Sequence, residues 1–214
     1  MASAAGTKNK KERDLQYKIN QIETSLLTLF SGNVRGQIKV NDKIIDMRDS
    51  TRNTYEDGFY MITLNGTSGE CHAVLIYKET ILDDTGSQRI RFGIYDSNGQ
   101  YWAQKYEYET KIRSSLPFVV DYSMSPVRSI NEESKCAIWC IVVIILWNTF
   151  RQQDRLTALN IFNTKMRESQ EIRNTFLKSV LQFISDCTDF SSKPNIRQFV
   201  QNVYRLICSL SVEL

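Results

Sequence analysis

At 214 residues, with 42% hydrophobic and 11% aromatic side chains, the chain can build one substantial core: a single large domain, or one domain with appendages. A formal net charge of +3 is only mildly basic, which argues against a protein dedicated to binding nucleic acid or another polyanion. The five cysteines, Cys71, Cys136, Cys140, Cys187 and Cys208, are odd in number and contain no CxxC pair, which argues against a disulfide framework and for a reducing compartment.

The first residues, MASAAGTKNKKERD, are small and polar, then lysine-rich. They lack the apolar core or arginine-rich amphipathic face of a targeting peptide, and residues 1–11 are expected to form a disordered arm ahead of a single domain over 12–214. From about Lys11 the pattern is helical: Leu15, Ile19, Ile22, Leu26 and Phe30 share one face, and Ser31-Gly32-Asn33 closes the run. QIKV and KIID flank Asn41-Asp42, a hairpin signal. FYMITL, CHAVLIY and RIRFGIY are three further strand-like runs, punctuated by Gly66, Gly69, Asp83, Asp84 and Gly86. TYEDG before them and SNGQ after them read as turns. The sequon Asn65-Gly66-Thr67 is expected to be coincidental in a chain that is not secreted.

YWAQKYEYETKI reads as a strand or a short helix, and LPFVVDYSM as a strand. Beyond Cys136 the chain is helical. A first helix is expected to reach about Arg155; its apolar run, Ala137 to Trp147, is too short to span a bilayer and reads as a buried core helix. Later stretches carry Leu156, Leu159 and Phe162, then Ile172, Phe176, Val180 and Ile184, and, after Pro194, Ile196, Phe199, Val203, Leu206 and Ile207. No repeat and no linker separates domains. The expected architecture is α+β, a central mixed β-sheet flanked by helices.

Three residues carry chemistry. His72, in GECHAVLIY, is the only histidine, so the chain offers one imidazole base. Asp96, in RFGIYDSNG, lies where a strand runs into a turn; an acid there is either turn punctuation or is held rigidly against a base on a neighbouring strand. Cys136 opens the apolar helix in NEESKCAIWCIVVIILW. If Ser134 is the N-cap, Cys136 lies in the first turn, where unpaired N–H groups and the helix dipole favour a thiolate; otherwise it is a buried structural cysteine. Lys135 favours the thiolate, and Glu132 and Glu133 oppose it. Cys140, one turn on, reads as structural. One histidine beside Cys71 does not supply the clustered ligands of a zinc site.

GECHAVLIY, then FGIYDSNG, then a helix opening with Cys136-Ala-Ile-Trp-Cys140, resembles the adenovirus-type and SUMO-type cysteine proteases, over about Phe59 to Trp147. The resemblance implies a papain-like core in permuted His–Asp–Cys order, with His72 as general base, Asp96 as the group orienting it, and Cys136 as nucleophile at the N-terminus of a buried helix. This sequence has Ala73 where the family usually has Trp after the histidine, and Ala137 where it usually has Gly after the cysteine. No Gln lies between Gln104 and Cys136 to complete an oxyanion hole. Asn131, the nearest amide, is either that donor or a helix cap.

The expected function is a thiol endopeptidase that matures capsid or other virion precursors, cutting after small, Gly-type residues, and needing no metal or organic cofactor. Adenovirus-type enzymes use a peptide and DNA as activators, and such activators are expected here by resemblance only. No membrane association is expected. The virion and the host-cell cytoplasm or virus factory are the expected locations. The alternatives are a deSUMOylating-type protease, an acetyltransferase of the same superfamily, or a catalytically inactive virion scaffold.

Overall fold

The computed structural model describes residues 3–30, 34–40, 58–65, 71–82, 84–99, 120–121, 123–131, 135–150 and 155–211. In chain order these form α1 (Ser3–Leu29), β1 (Val34–Val40), β2 (Gly58–Asn65), β3 (Cys71–Leu82), β4 (Gln88–Tyr95), β5 (Val120–Asp121), α2 (Cys136–Thr149), α3 (Arg155–Glu168), α4 (Gln170–Asp186) and α5 (Lys193–Ser211). The fold is mixed α+β.

The strands form one sheet in the order β1-β2-β3-β4-β5. β2, β3 and β4 are antiparallel neighbours, while β1 joins β2 and β5 joins β4 in parallel. The FYMITL, CHAVLIY and RIRFGIY runs thus become the central strands. QIKV belongs to β1, whose described partner is β2; KIID and YWAQKYEYETKI lie outside the described residues. Of LPFVVDYSM, only Val120–Asp121 forms a described strand. Alternation on the pleat splits β3 into two faces. Ala73 and Leu75 join Phe59, Met61 and Tyr95 in the core shared with the helices, while Val74 and Ile76, on the other face, are equally buried. A strand covered on both sides reads as a continuous apolar run, as CHAVLIY does.

α2 packs against β3, and α1, α3 and α5 surround α2. Ile138 through Leu146 are all buried, so α2 needs no polar face. Trp139 meets Phe162 of α3 at 6.0 Å and stacks on Phe176 of α4 at 5.9 Å between ring centroids. α2 ends at Thr149, short of the expected Arg155. Asn148 Nδ2 and Thr149 Oγ1 each donate to the carbonyl four residues back, at 2.8 Å, and Phe150 turns extended. α1 buries Ile19, Ile22 and Leu26, as its stripe predicts, and Ser25 Oγ bonds the Phe190 carbonyl at 2.7 Å. Its helical backbone begins at Ser3, over residues set apart as an arm by composition, where alanines and lysines favour helix. Among the described residues, no helix is long and apolar enough to cross a membrane.

Candidate active site

Leu75 opposite Tyr95 is the last pair at one end of the β3–β4 ladder. β3 begins before that pair, at Cys71, and β4 ends with it. His72, on β3, and Asp96, the first residue after β4, therefore occupy the same end of the sheet. The main chain of Ala73 lies outside the β3–β4 ladder and is met by the two cysteines of α2. Ala73 N–H donates to Cys136 Sγ at 3.3 Å, and the Cys140 thiol donates to the Ala73 carbonyl at 3.6 Å. One residue of β3 thus seats the first turn of α2 beside His72.

His72 Nε2 bonds Asp96 Oδ1 at 2.8 Å, with both side chains buried. A carboxylate accepts, so Nε2 carries the proton, and Nδ1 is the ring nitrogen left for the Cys136 thiol, with which the imidazole is in hydrogen-bond contact. Asp96 is itself pinned. Its N–H donates to Ser125 Oγ at 2.9 Å, Ser125 Oγ donates to the Ile94 carbonyl at 2.8 Å, and Asn98 N–H donates to Asp96 Oδ1 at 2.8 Å. These bonds hold the carboxylate still, so that it can fix the imidazole.

The charges favour an ion pair. Burial opposes a charged imidazole, but the bonds to Asp96 and Cys136 outweigh it and raise His72 to about 9. Burial likewise opposes the Cys136 thiolate, but His72 and the N–H groups of Ala73 and Ala137 lower its pKa below the ordinary thiol value. Cys140, fully buried and near the charges of Cys136, Asp96 and Glu23, is pushed well above that value and stays a thiol. The sulfurs one helical turn apart thus have opposite chemistry: one poised as a nucleophile, the other a neutral donor.

Cys136 is the first helical residue of α2, and Lys135 is the N-cap, without a side-chain capping bond. Ser134 lies outside the described residues. Asn131 acts on the helix start from a distance: its Oδ1 accepts the Lys135 N–H at 3.1 Å, while its Nδ2 donates to Asn98 Oδ1 at 3.0 Å. The structure therefore brings His72, Asp96 and Cys136 together and sets Asn131 just behind the helix start, with its amide donor on Asn98. Sequence reading missed Asn98 and Ser125. Asn98 was visible only as part of the SNGQ turn, and nothing local marks Ser125. Among the described residues no three His, Cys, Asp or Glu side chains cluster as metal ligands.

An imidazole held by a carboxylate and touching a thiol of lowered pKa at a helix start can form and use a sulfur nucleophile. Compared with known proteins, the chain matches no family model, no curated protein and no solved structure.

Proposed function

We propose that the protein is a cysteine endopeptidase of the adenovirus-type and SUMO-type superfamily, acting on capsid or other virion precursors. The observation that carries this reading is the buried His72–Asp96 bond at 2.8 Å beside a depressed thiol at the first position of a helix. Cys136 Sγ attacks the scissile carbonyl carbon, and the developing oxyanion is met by the backbone N–H at the start of the helix. His72 passes the Nδ1 proton to the leaving amine as the C–N bond breaks. Water then attacks the thioester with His72 as base, releasing the acid and restoring the thiol. Asp96 keeps Nε2 protonated and the ring in plane throughout. No step requires a metal. The same reading sets the work of the enzyme in the virion and the host-cell cytoplasm, and its preference at small residues before the scissile bond.

The test is co-expression with candidate virion precursors, followed by mass spectrometry of new termini, with Cys136→Ala as the control. Termini that appear with the wild type and vanish in the control support the proposal. Purified protein is then offered a SUMO fusion, and separately acetyl-CoA with an acceptor protein. Thiol-dependent cleavage of the fusion alone, or acetyl transfer without hydrolysis, would replace endopeptidase with the corresponding activity. Full cleavage by Cys136→Ala would overturn the nucleophile.

A further inference from the structure

The turn that carries Asp96 and the segment leading into α2 are joined far more tightly than a loop contact requires. The Ser97 carbonyl accepts both the Ile130 N–H, at 2.9 Å, and the Asn131 N–H, at 3.2 Å. Gly99, at φ +95°, lies so close to this segment that a Cβ there would stand 2.9 Å from the carbonyl carbon of Arg128. On this backbone frame two side-chain amides meet, Asn98 and Asn131.

Their orientations follow from a single backbone donor. The Lys135 N–H can only donate, so the Asn131 atom facing it, at 3.1 Å, is Oδ1. The Asn131 Nδ2 must then face Asn98, at 3.0 Å, and Asn98 must present Oδ1 to it. That leaves Asn98 Nδ2 on the histidine side, 3.5 Å from His72 Nε2. At that distance, and with Nε2 already donating to Asp96, this is packing against the ring edge and not a strong bond. A continuous polar chain therefore runs from the edge of the imidazole to the peptide just ahead of the nucleophile.

We propose that Asn98 and Asn131 are a pair of positioning residues, a clamp that holds the first turn of α2 at a set distance from the His72–Asp96 pair. The clamp rests on the reading of Cys136 as the reactive thiol. It gives Asn131 a role different from oxyanion donor: its Oδ1 is held by the Lys135 N–H and one Nδ2 hydrogen by Asn98, which fixes the amide behind the helix start, and oxyanion stabilisation falls to the backbone there. Ala73 holds Cys136 from the strand side, and the clamp holds it from the side of the turn. Together they determine whether the thiol stays within reach of His72, and so how readily it ionises.

The test measures the rate of Cys136 alkylation by iodoacetamide across pH, by mass spectrometry of the intact chain, for the wild type, Asn98→Ala, Asn131→Ala and the double variant. Thermal unfolding is recorded alongside. Asn98→Ser replaces the alanine variant if that fails to fold, since its hydroxyl keeps the turn polar but is too short to reach Asn131. For a clamp, each single variant slows labelling near pH 6 on the order of ten-fold, because small misplacements of a reacting pair carry such costs. Each also moves the midpoint of the labelling profile upward, and the double variant is no worse than the singles, as expected for partners in one interaction. Alkylation forms no oxyanion. A profile unmoved by Asn131→Ala, with only peptide cleavage impaired, would make Asn131 an oxyanion donor and overturn the clamp. Loss of stability with an unmoved profile would reduce the pair to a structural contact. If wild-type Cys136 is not labelled ahead of the other cysteines, the reactive-thiol reading fails first and takes the clamp with it.

Discussion

The single histidine makes the residue scale unusually clean. With His72 raised to about 9 and the Cys136 thiol lowered, the ion pair is present between the lowered thiol value and about pH 9. Iodoacetamide should therefore label Cys136 ahead of Cys140, Cys187 and Cys208 at mildly acidic pH, with a rate that stays flat until about pH 9, where His72 gives up its proton. In His72→Ala that flat region should shift upward, because the thiol then titrates against burial with only the N–H groups of Ala73 and Ala137 to favour the thiolate. Turnover of any peptide substrate should fall by about a hundred-fold to ten-thousand-fold, as no second imidazole exists to substitute. Asp96→Asn should cost less, since it weakens the tautomer and orientation of a base that is still present. A His72→Ala protein that folds and turns over normally would end this account.

Two positions test the elements that hold the site. Gly99 closes the turn after β4 at φ +95°, against the Arg128 backbone. Gly99→Ala adds a Cβ where neither the dihedral nor the space allows one, and should destabilise the protein by about 1–3 kcal/mol. It should also slow Cys136 labelling, because the same turn carries Asp96; a chemical denaturation curve and a labelling rate report the two effects separately. Glu23, on α1, is the second position. Its Oε1 is buried without a hydrogen-bond partner, and burial raises its pKa to about 7. The folded state therefore holds a proton that the unfolded chain releases above 4.5, so stability should fall as pH rises from about 4.5 to about 7. Glu23→Gln should be more stable than the wild type at pH 8, by about 2 kcal/mol, and no more stable near pH 4. Equal stability of the two proteins at pH 8 would show that water reaches the carboxylate.

At the scale of the molecule, one core joins both halves of the chain. Ile22 and Leu26 of α1, Leu75 of β3, Trp139 of α2, Phe176 of α4 and Val203 of α5 belong to a single buried cluster. A cavity at any of them is felt throughout. Leu26→Ala should cost about 2–5 kcal/mol and lower one cooperative transition, read identically by tryptophan fluorescence and by helical circular dichroism. Separate midpoints for the two signals would show that the N-terminal helix and the sheet unfold as independent units.

The sequence by itself determined the elements whose burial is periodic or continuous. The stripes on α1 and the later helices are legible because an amphipathic face repeats with the period of its own backbone, while the central strands and α2 are legible as continuous apolar runs of strand and helix length. It also named His72, Asp96 and Cys136, since their order along the chain and their residue types carry the resemblance on which the functional proposal draws. What tertiary structure alone decided is where polar groups without periodicity go. The end of α2 depends on side chains returning to carbonyls one turn back, and the parallel pairing of β1 with β2 and of β5 with β4 depends on chain paths no local pattern encodes. The Ala73 main chain receives both cysteines because β4 stops at Tyr95. Asn131 bonds Asn98, 33 residues earlier, and Ser125 bonds Asp96, 29 residues earlier. A hydrogen bond is satisfied by whichever partner the fold delivers, and short segments of sequence hold no record of that partner.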